Sequence, residues 1–425
     1  MKREVWIDWM RIFACFGIML THSCEPFYLG GEGSLILTRA DALWVGFLNV
    51  LPRACVALFI VASSYLQFPL HYSTGEFFRR RAVRILIPFA VWSIVYALVW
   101  GKPAENLRDL LLNFNYAAGH MWFVYMLIGI YLIMPLLSPW ASKVGKRELQ
   151  IYIGIWLLST VVPLIRQAVG GPAPVIYGPS GIPNAALYPL WGEASWNAYG
   201  VFYYLSGFVG YMLLGLYFRK FVGELSWKRT VAIGLPVSLV GIALCSGGFL
   251  SLVWADCDGV FPVEGPVGLA ALWEGPWLND TLGVALMTIG WILLFRKIAH
   301  GKSVDISCAS GIATAGSAVG SVGTSTSCDA VTDSAGCVGA GAFYRRIAVP
   351  VSEAGYGMYL SHLLVLGAIS GWVRSWLGIG TDGLLGPVWT TPVEIFLTAI
   401  LSFISVALFC VLIRRIPRVG KWIMG

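Results

Sequence analysis

Charge is what this chain has least of. Only 12% of its 425 residues are Asp, Glu, Lys or Arg, about half of the roughly 25% found in soluble domains. With 57% of the residues hydrophobic, a soluble enzyme is excluded and a polytopic membrane protein remains. The chain also lacks any C-x-x-C pair. Four of its nine cysteines lie inside apolar runs (Cys15, Cys55, Cys245, Cys410), so neither a zinc site nor a disulfide framework is indicated, and no metal is expected. An outer-side pairing of Cys24 with Cys257 is the one bridge to consider, although nothing in the sequence brings the two together. No nucleotide-binding glycine motif, no tandem repeat and no second soluble domain is visible. The start has Lys2 and Arg3 before an apolar run, as a signal peptide would, but Asp8 and Arg11 interrupt the run and no A-x-A cleavage site follows. It reads as a retained first span. The net charge of +7 sits in short basic clusters between apolar segments, which reports membrane topology and gives no reason to expect nucleic acid.

Stretches able to cross ~30 Å of hydrocarbon predict an all-α membrane protein of ten spans, near 6–25, 46–70, 83–100, 120–140, 149–168, 199–218, 230–250, 280–296, 346–370 and 391–413. With both termini cytoplasmic, 23 of the 29 basic residues fall on the inner side, as the positive-inside rule requires. Residues 170–198 and 251–279 hold no Lys or Arg but carry Glu193, Asp256, Asp258, Glu264 and Glu274 among many aromatics, so they face outward. Trp191, Trp196, Trp254, Trp273 and Trp277 are expected to form membrane-interface belts, with sugar stacking as the alternative. Residues 303–342 are a bland Gly/Ala/Ser tract, expected to be a flexible cytoplasmic loop within a single domain spanning 1–425.

The first span is where charge appears out of place. At ~100° per residue, the eleven steps from Arg11 to His22 bring both onto one helix face, with Asp8 and Glu25 on the same stripe. Ionisable groups in a span are costly unless they face a protein interior or a watery cavity, so the stripe marks a functional site. A transporter or flippase, moving a glycan precursor or a small anionic solute, would also line its path this way. Its inverted repeats or broken helices are not evident.

Five stretches carry a resemblance: Ile7-Asp8-Trp9-Met10-Arg11 leading to His22; Arg53 to Phe59 through Ser64-Tyr65; Arg81-Ala-Val-Arg84-Ile-Leu-Ile-Pro88-Phe89; His120-Met-Trp122-Phe123 through Tyr131 and Pro135; and Tyr356-Gly-Met-Tyr359-Leu-Ser-His362. In this order and in a ten-span chain they are similar to acyltransferase family 3, integral membrane enzymes that include O-acetyltransferases of O-antigens, exopolysaccharides and enterobacterial common antigen. Ala57 and Ser64 depart from residues common in that family. The resemblance implies a bacterial inner-membrane enzyme that transfers an acyl group, usually acetyl from cytoplasmic acetyl-CoA, to a hydroxyl of a cell-surface glycan or lipid-linked saccharide. It also implies that Arg11, His22, Arg81 and Arg84 are essential.

The chemistry of these residue types agrees. A hydroxyl attacking a thioester must lose its proton, and imidazole, with an ordinary pKa of ~6.5, accepts it at neutral pH. His22 is the expected base and Glu25, one turn on, its orienting carboxylate. The competing structural reading is a hydrogen bond from His22 to another helix. Arg11 lies ~16 Å from His22 along the axis, so the two act together only on a long ligand such as CoA, with Arg11, Arg81 and Arg84 on the phosphates. Arg79 to Arg84 could instead be headgroup anchors. Arg53 is expected to assist the developing oxyanion or hold an acidic acceptor, or else to pair with Glu25 or Asp8. Asp8 is expected to orient Arg11; His120 and His362 are read as interfacial or helix-packing histidines, with either as a second proton carrier the alternative.

Overall fold

The computed structural model describes residues 3–30, 33–110, 118–168, 191, 199–298, 343–377, 386–417 and 419–425. The Gly/Ala/Ser tract at 303–342, together with Glu193 and Trp196, lies outside the described residues. Sixteen α-helices follow in chain order: α1 (Val5–Cys24), α2 (Arg39–Leu48), α3 (Cys55–Gln67), α4 (Thr74–Arg81), α5 (Ile87–Val99), α6 (Pro103–Asp109), α7 (Trp122–Lys143), α8 (Lys146–Ser159), α9 (Val162–Ala168), α10 (Phe208–Phe221), α11 (Trp227–Cys257), α12 (Val267–Trp273), α13 (Leu282–Ile298), α14 (Val349–Trp376), α15 (Gly386–Arg414) and α16 (Gly420–Met424). Three short strands, β1 (Leu29–Gly30), β2 (Gly33–Ile36) and β3 (Val263–Pro266), form an antiparallel sheet in that order.

The expected all-α membrane architecture is present. Among the described residues, seven helices are long and apolar enough to cross a membrane: 74–99, 119–143, 146–168, 227–257, 275–298, 344–376 and 388–414. Helix α1 is outside this set and carries Asp8 and Arg11. It is central, packing against α3, α13, α14 and α15, and its polar stripe faces protein, with Asp8, Cys15 and Ile18 buried.

Two expected spans differ in form. Residues 46–70 are not one helix: α2 ends at Leu48, and α3 begins at Cys55 after turns around Pro52, where the ring removes a backbone donor. In the segment 199–218, a 3₁₀ turn at Gly200–Phe202 comes first, and the α-helix starts only after Gly207, whose φ of +71° ends the preceding turns. The sheet was not foreseen. β2 pairs with β3 from Gly33↔Pro266 to Ile36↔Val263, which ties the segment after α1 to the segment after α11. Cys24 and Cys257 are both buried free thiols, so the bridge considered between them is not made.

Helices α11 and α13 pack at backbone distance. A Cβ on Gly241 would meet the Gly283 carbonyl oxygen at 2.5 Å, and one on Gly290 would meet the Gly234 carbonyl at 2.6 Å. Lipid gives no hydrophobic drive between helices, so close van der Waals packing of small residues supplies the association.

Candidate functional site

A cavity of about 920 Å³ opens among α1, α3, α7, α14, α15 and the turn after α4, at the upper end of the ~300–1,000 Å³ range of ligand pockets. Five arginines line it: Arg3, Arg11, Arg81, Arg84 and Arg414. They differ in pairing. Arg3 bonds Asp8 through Nε and Nη2 at 2.6 and 3.0 Å, and Glu353 at 2.6 Å. Arg414 lies 3.8 Å from the same Glu353. Arg11, Arg81 and Arg84 have no carboxylate within ion-pair distance among the described residues, and Arg81 Nε is buried without any hydrogen-bond partner. The guanidinium of Arg81 lies 5.5 Å from the Tyr131 ring. Structure thus brings the three expected cations to one chamber and leaves their charge uncompensated.

The expected partnership of Asp8 with Arg11 is not made. Asp8 is 2% exposed and is saturated by Arg3, the Tyr344 hydroxyl and the Ser352 hydroxyl at 2.6 Å. Spacing along α1 favours Arg11, but Arg3 precedes the helix and folds back with the longer reach.

Arg84 is displayed by an unusual turn. Residues Ala82–Leu86 form a π-turn between α4 and α5. Pro88 has no N–H to close a helical bond to the Arg84 carbonyl, and its ring crowds that turn, so the chain widens there. The Tyr356 hydroxyl donates 3.0 Å to the Ile85 carbonyl. A second π-turn, Tyr344–Ala348, precedes α14. It has the same local sequence logic, Arg346-Ile-Ala-Val-Pro350 beside Arg84-Ile-Leu-Ile-Pro88. Single π-turns recur at functional sites. Helix α16 contributes Trp422 to the lining and is pinned to α5 by the Trp92 indole donating 3.0 Å to the Ile423 carbonyl.

His22 lies near the C-terminal end of α1 and is not among the residues lining the cavity. Its Nδ1 meets Glu25 Oε1 at 2.7 Å, which is the expected base-and-carboxylate pair. Phe123 and Tyr359 do line the cavity, with ring centroids 5.1 Å apart. Beyond Tyr359 stand the histidines. The His22 and His362 rings are 5.0 Å apart, and the His362 and His120 rings 5.0 Å apart at 89°. Tyr359 clamps this cluster: its carbonyl accepts from His362 Nδ1 at 2.6 Å, and its hydroxyl donates to the His120 carbonyl. His120 and His362 are buried as helix-packing residues are, and His362 stands against both His22 and His120. The signal for the Tyr359–His362 bond was present in the Tyr359-x-x-His362 spacing, which places one residue a turn above the other.

Arg53 takes neither expected partner. It donates to Asn49 at 3.1 Å and Glu274 at 3.4 Å, with its guanidinium 4.4 Å from the Trp277 ring. Glu274 also accepts from the Tyr28 hydroxyl. Glu274 sits on the segment after α12, too far in sequence for spacing to reveal. Trp273 and Trp277 are not interfacial belts: they are 0% and 1% exposed, with Trp273 donating to Asp256 at 2.6 Å and Trp277 stacked 4.4 Å from Phe249. Trp254 carries the Arg39 guanidinium at 5.7 Å.

A multi-pass helical bundle with an anion-ready chamber at one end and an imidazole–carboxylate pair beyond it is the arrangement of a membrane-bound group-transfer enzyme. The family model described as an acyltransferase domain, that of acyltransferase family 3, matches residues 4–414. The chain belongs to this family and is an acyltransferase of the membrane. No curated protein and no solved structure matches it.

Proposed function

We propose that this enzyme transfers an acetyl group from cytoplasmic acetyl-CoA to a hydroxyl of a cell-surface glycan, or of its lipid-linked precursor, at the outer side of the bacterial inner membrane. The observation that carries this reading is the pairing pattern of the arginines. Arg3 and Arg414 share Glu353, whereas Arg11, Arg81 and Arg84 turn unpaired guanidiniums into the cavity. Such forks suit the phosphates of CoA. The pantetheine arm then extends along α1 toward His22, over the ~16 Å that separate the two ends of the stripe.

In the reaction, His22 takes the proton of the acceptor hydroxyl as its oxygen attacks the thioester carbon. The carbon–sulfur bond breaks, and the same proton passes to the departing thiolate, so that ester and free CoA leave with no net proton change. Glu25, bonded to Nδ1, fixes the ring so that Nε2 is the accepting nitrogen and favours the imidazolium. Arg53 is held by Asn49 and Glu274 and is near enough to Glu25 to feel its charge, which supports a role in binding an acceptor more than one at the thioester.

The test is incubation of the purified protein in detergent with radiolabelled acetyl-CoA and alkali-de-esterified surface polysaccharide of the source cells. Transfer of label without a sealed compartment is expected, as is its loss in His22→Ala with CoA binding retained. A transporter would transfer nothing, and a folded His22→Ala protein with substantial activity would remove His22 as the base.

A further inference from the structure

Packing alone leaves one property of His362 unexplained. The residue is 0% exposed, and its Nδ1 lies 2.6 Å from the Tyr359 carbonyl oxygen. A carbonyl only accepts, so Nδ1 carries the proton and the neutral ring presents a lone pair at Nε2. That nitrogen is buried with no partner among the described residues. An orphaned acceptor inside a protein is costly, and where one persists beside a reactive group it calls for a chemical explanation. His22 has the complementary arrangement: Glu25 engages Nδ1 at 2.7 Å, which leaves Nε2 as its acceptor. The two rings stand 5.0 Å apart, tilted by 40°.

Two neutral imidazoles that both present lone pairs have no hydrogen bond to share. One added proton changes this, because it supplies the donor that the pair lacks, on a ring whose neighbour 5.0 Å away holds a free lone pair. We propose that His362 is a positioning residue for acyl transfer, which acts through His22 by accepting a hydrogen bond from the imidazolium formed there. The inference rests on the reading of His22 as the base. The proton leaves the acceptor hydroxyl as the new carbon–oxygen bond forms, resides between the two rings, and moves to the CoA sulfur as the carbon–sulfur bond breaks. His362 neither gains nor loses a proton over the cycle. Tyr359 serves this device directly, since its carbonyl dictates which nitrogen of His362 is free. The ring of His120, packed edge-on 5.0 Å from His362 and with both nitrogens unpartnered, backs the pair on the side away from His22. No carboxylate hydrogen-bonds His362 among the described residues, so the proton has no competing acceptor at that ring.

The experiment compares His362→Phe, His362→Gln and His22→Ala, each purified in detergent. Acetyl transfer to de-esterified surface polysaccharide is measured alongside CoA binding by calorimetry. Phe keeps the ring volume and removes the acceptor, whereas Gln restores an amide donor and an acceptor oxygen. The expected result is a fall in kcat of about 10- to 100-fold for His362→Phe, with the KM for acetyl-CoA within about twofold of wild type, and recovery of at least part of that loss in His362→Gln. Wild-type kcat in a folded His362→Phe protein, with His22→Ala inactive, overturns the proposal and leaves the base reading intact. Equal loss in the Phe and Gln variants together with weakened CoA binding also overturns it, by making His362 a packing residue. Activity in His22→Ala removes the base reading and this proposal with it.

Discussion

Replacing Arg84 by Gln tests whether uncompensated charge in the cavity binds the acyl donor. Arg84 lines the chamber with no carboxylate in ion-pair reach among the described residues, and the same is true of Arg11 and Arg81. A hydrogen bond from a charged group contributes about 1.5–3 kcal/mol, which corresponds to roughly 10- to 150-fold in affinity at 1.4 kcal/mol per decade. Arg80→Gln is the matched control. It removes the same charge one helical turn away, but its Nε is 2.6 Å from Glu76 and its side chain is 54% exposed, so exposed-pair energetics of about 0–1 kcal/mol apply. Calorimetric titration of acetyl-CoA into detergent-solubilised protein is expected to give the large loss for Arg84→Gln and a change of about fivefold or less for Arg80→Gln. A second donor, acetyl-pantetheine, has no diphosphate and no adenosine phosphate. Turnover with it is expected to be equal in Arg84→Gln and wild type. Equal affinity for acetyl-CoA in Arg84→Gln and wild type would refute the phosphate assignment, and equal weakening in both variants would reduce it to net charge.

Three further outcomes follow from the geometry. Glu25→Gln removes the carboxylate that fixes His22 Nδ1, so kcat is expected to fall about 10- to 100-fold with little change in the KM for acetyl-CoA. Steady-state kinetics with labelled donor checks this, and an unchanged kcat excludes Glu25 from the reaction. Arg3→Met strands Asp8, which is 2% exposed and bonded by Arg3 through two nitrogens. Removing one member of a buried pair costs about 3–5 kcal/mol, so the thermal midpoint in detergent is expected to drop by several degrees. Gly241→Leu drives a side chain into the Gly283 carbonyl, 2.5 Å from the Cβ position, whereas Gly247→Leu on the same helix meets nothing within 4 Å. Fluorescence-detected size exclusion is expected to show loss of the folded species for the first and retention for the second.

Features governed by helix periodicity were legible in the chain alone. The common face of Arg11 and His22 and the His22–Glu25 bond need only a continuous helix at known pitch, which α1 and the 3₁₀ turn Glu25–Phe27 that continues it supply. The convergence of Arg81 and Arg84 on the same chamber as Arg11 was expected from the family resemblance rather than from spacing, because it depends on how α4 and α5 meet α1. Partners distant in sequence were not legible. Glu274 reaches Arg53 across 221 positions, and β3 finds β2 across a similar gap through strands of only four residues each, too short for alternation to register. The break in the segment 46–70 was signalled by Pro52, although hydropathy remained high across it. The spacing of His362 ties it to Tyr359 alone, while its 5.0 Å approach to His22 depends on how α14 meets α1 and was not legible.

The meeting of Phe123 and Tyr359 across the head of the cavity has a consequence for the cell. On the proposed reading, a donor drawn from the cytosol and an acceptor waiting outside demand a route through the bilayer, and an always-open route would leak ions and expose the activated ester to wasteful hydrolysis. Both rings line the arginine chamber, and Tyr359 also holds His362 through its carbonyl, so this aromatic pair joins the chamber to the histidine cluster. On that reading the arm that carries the thioester has to pass these rings to reach His22, and their packing governs when it does.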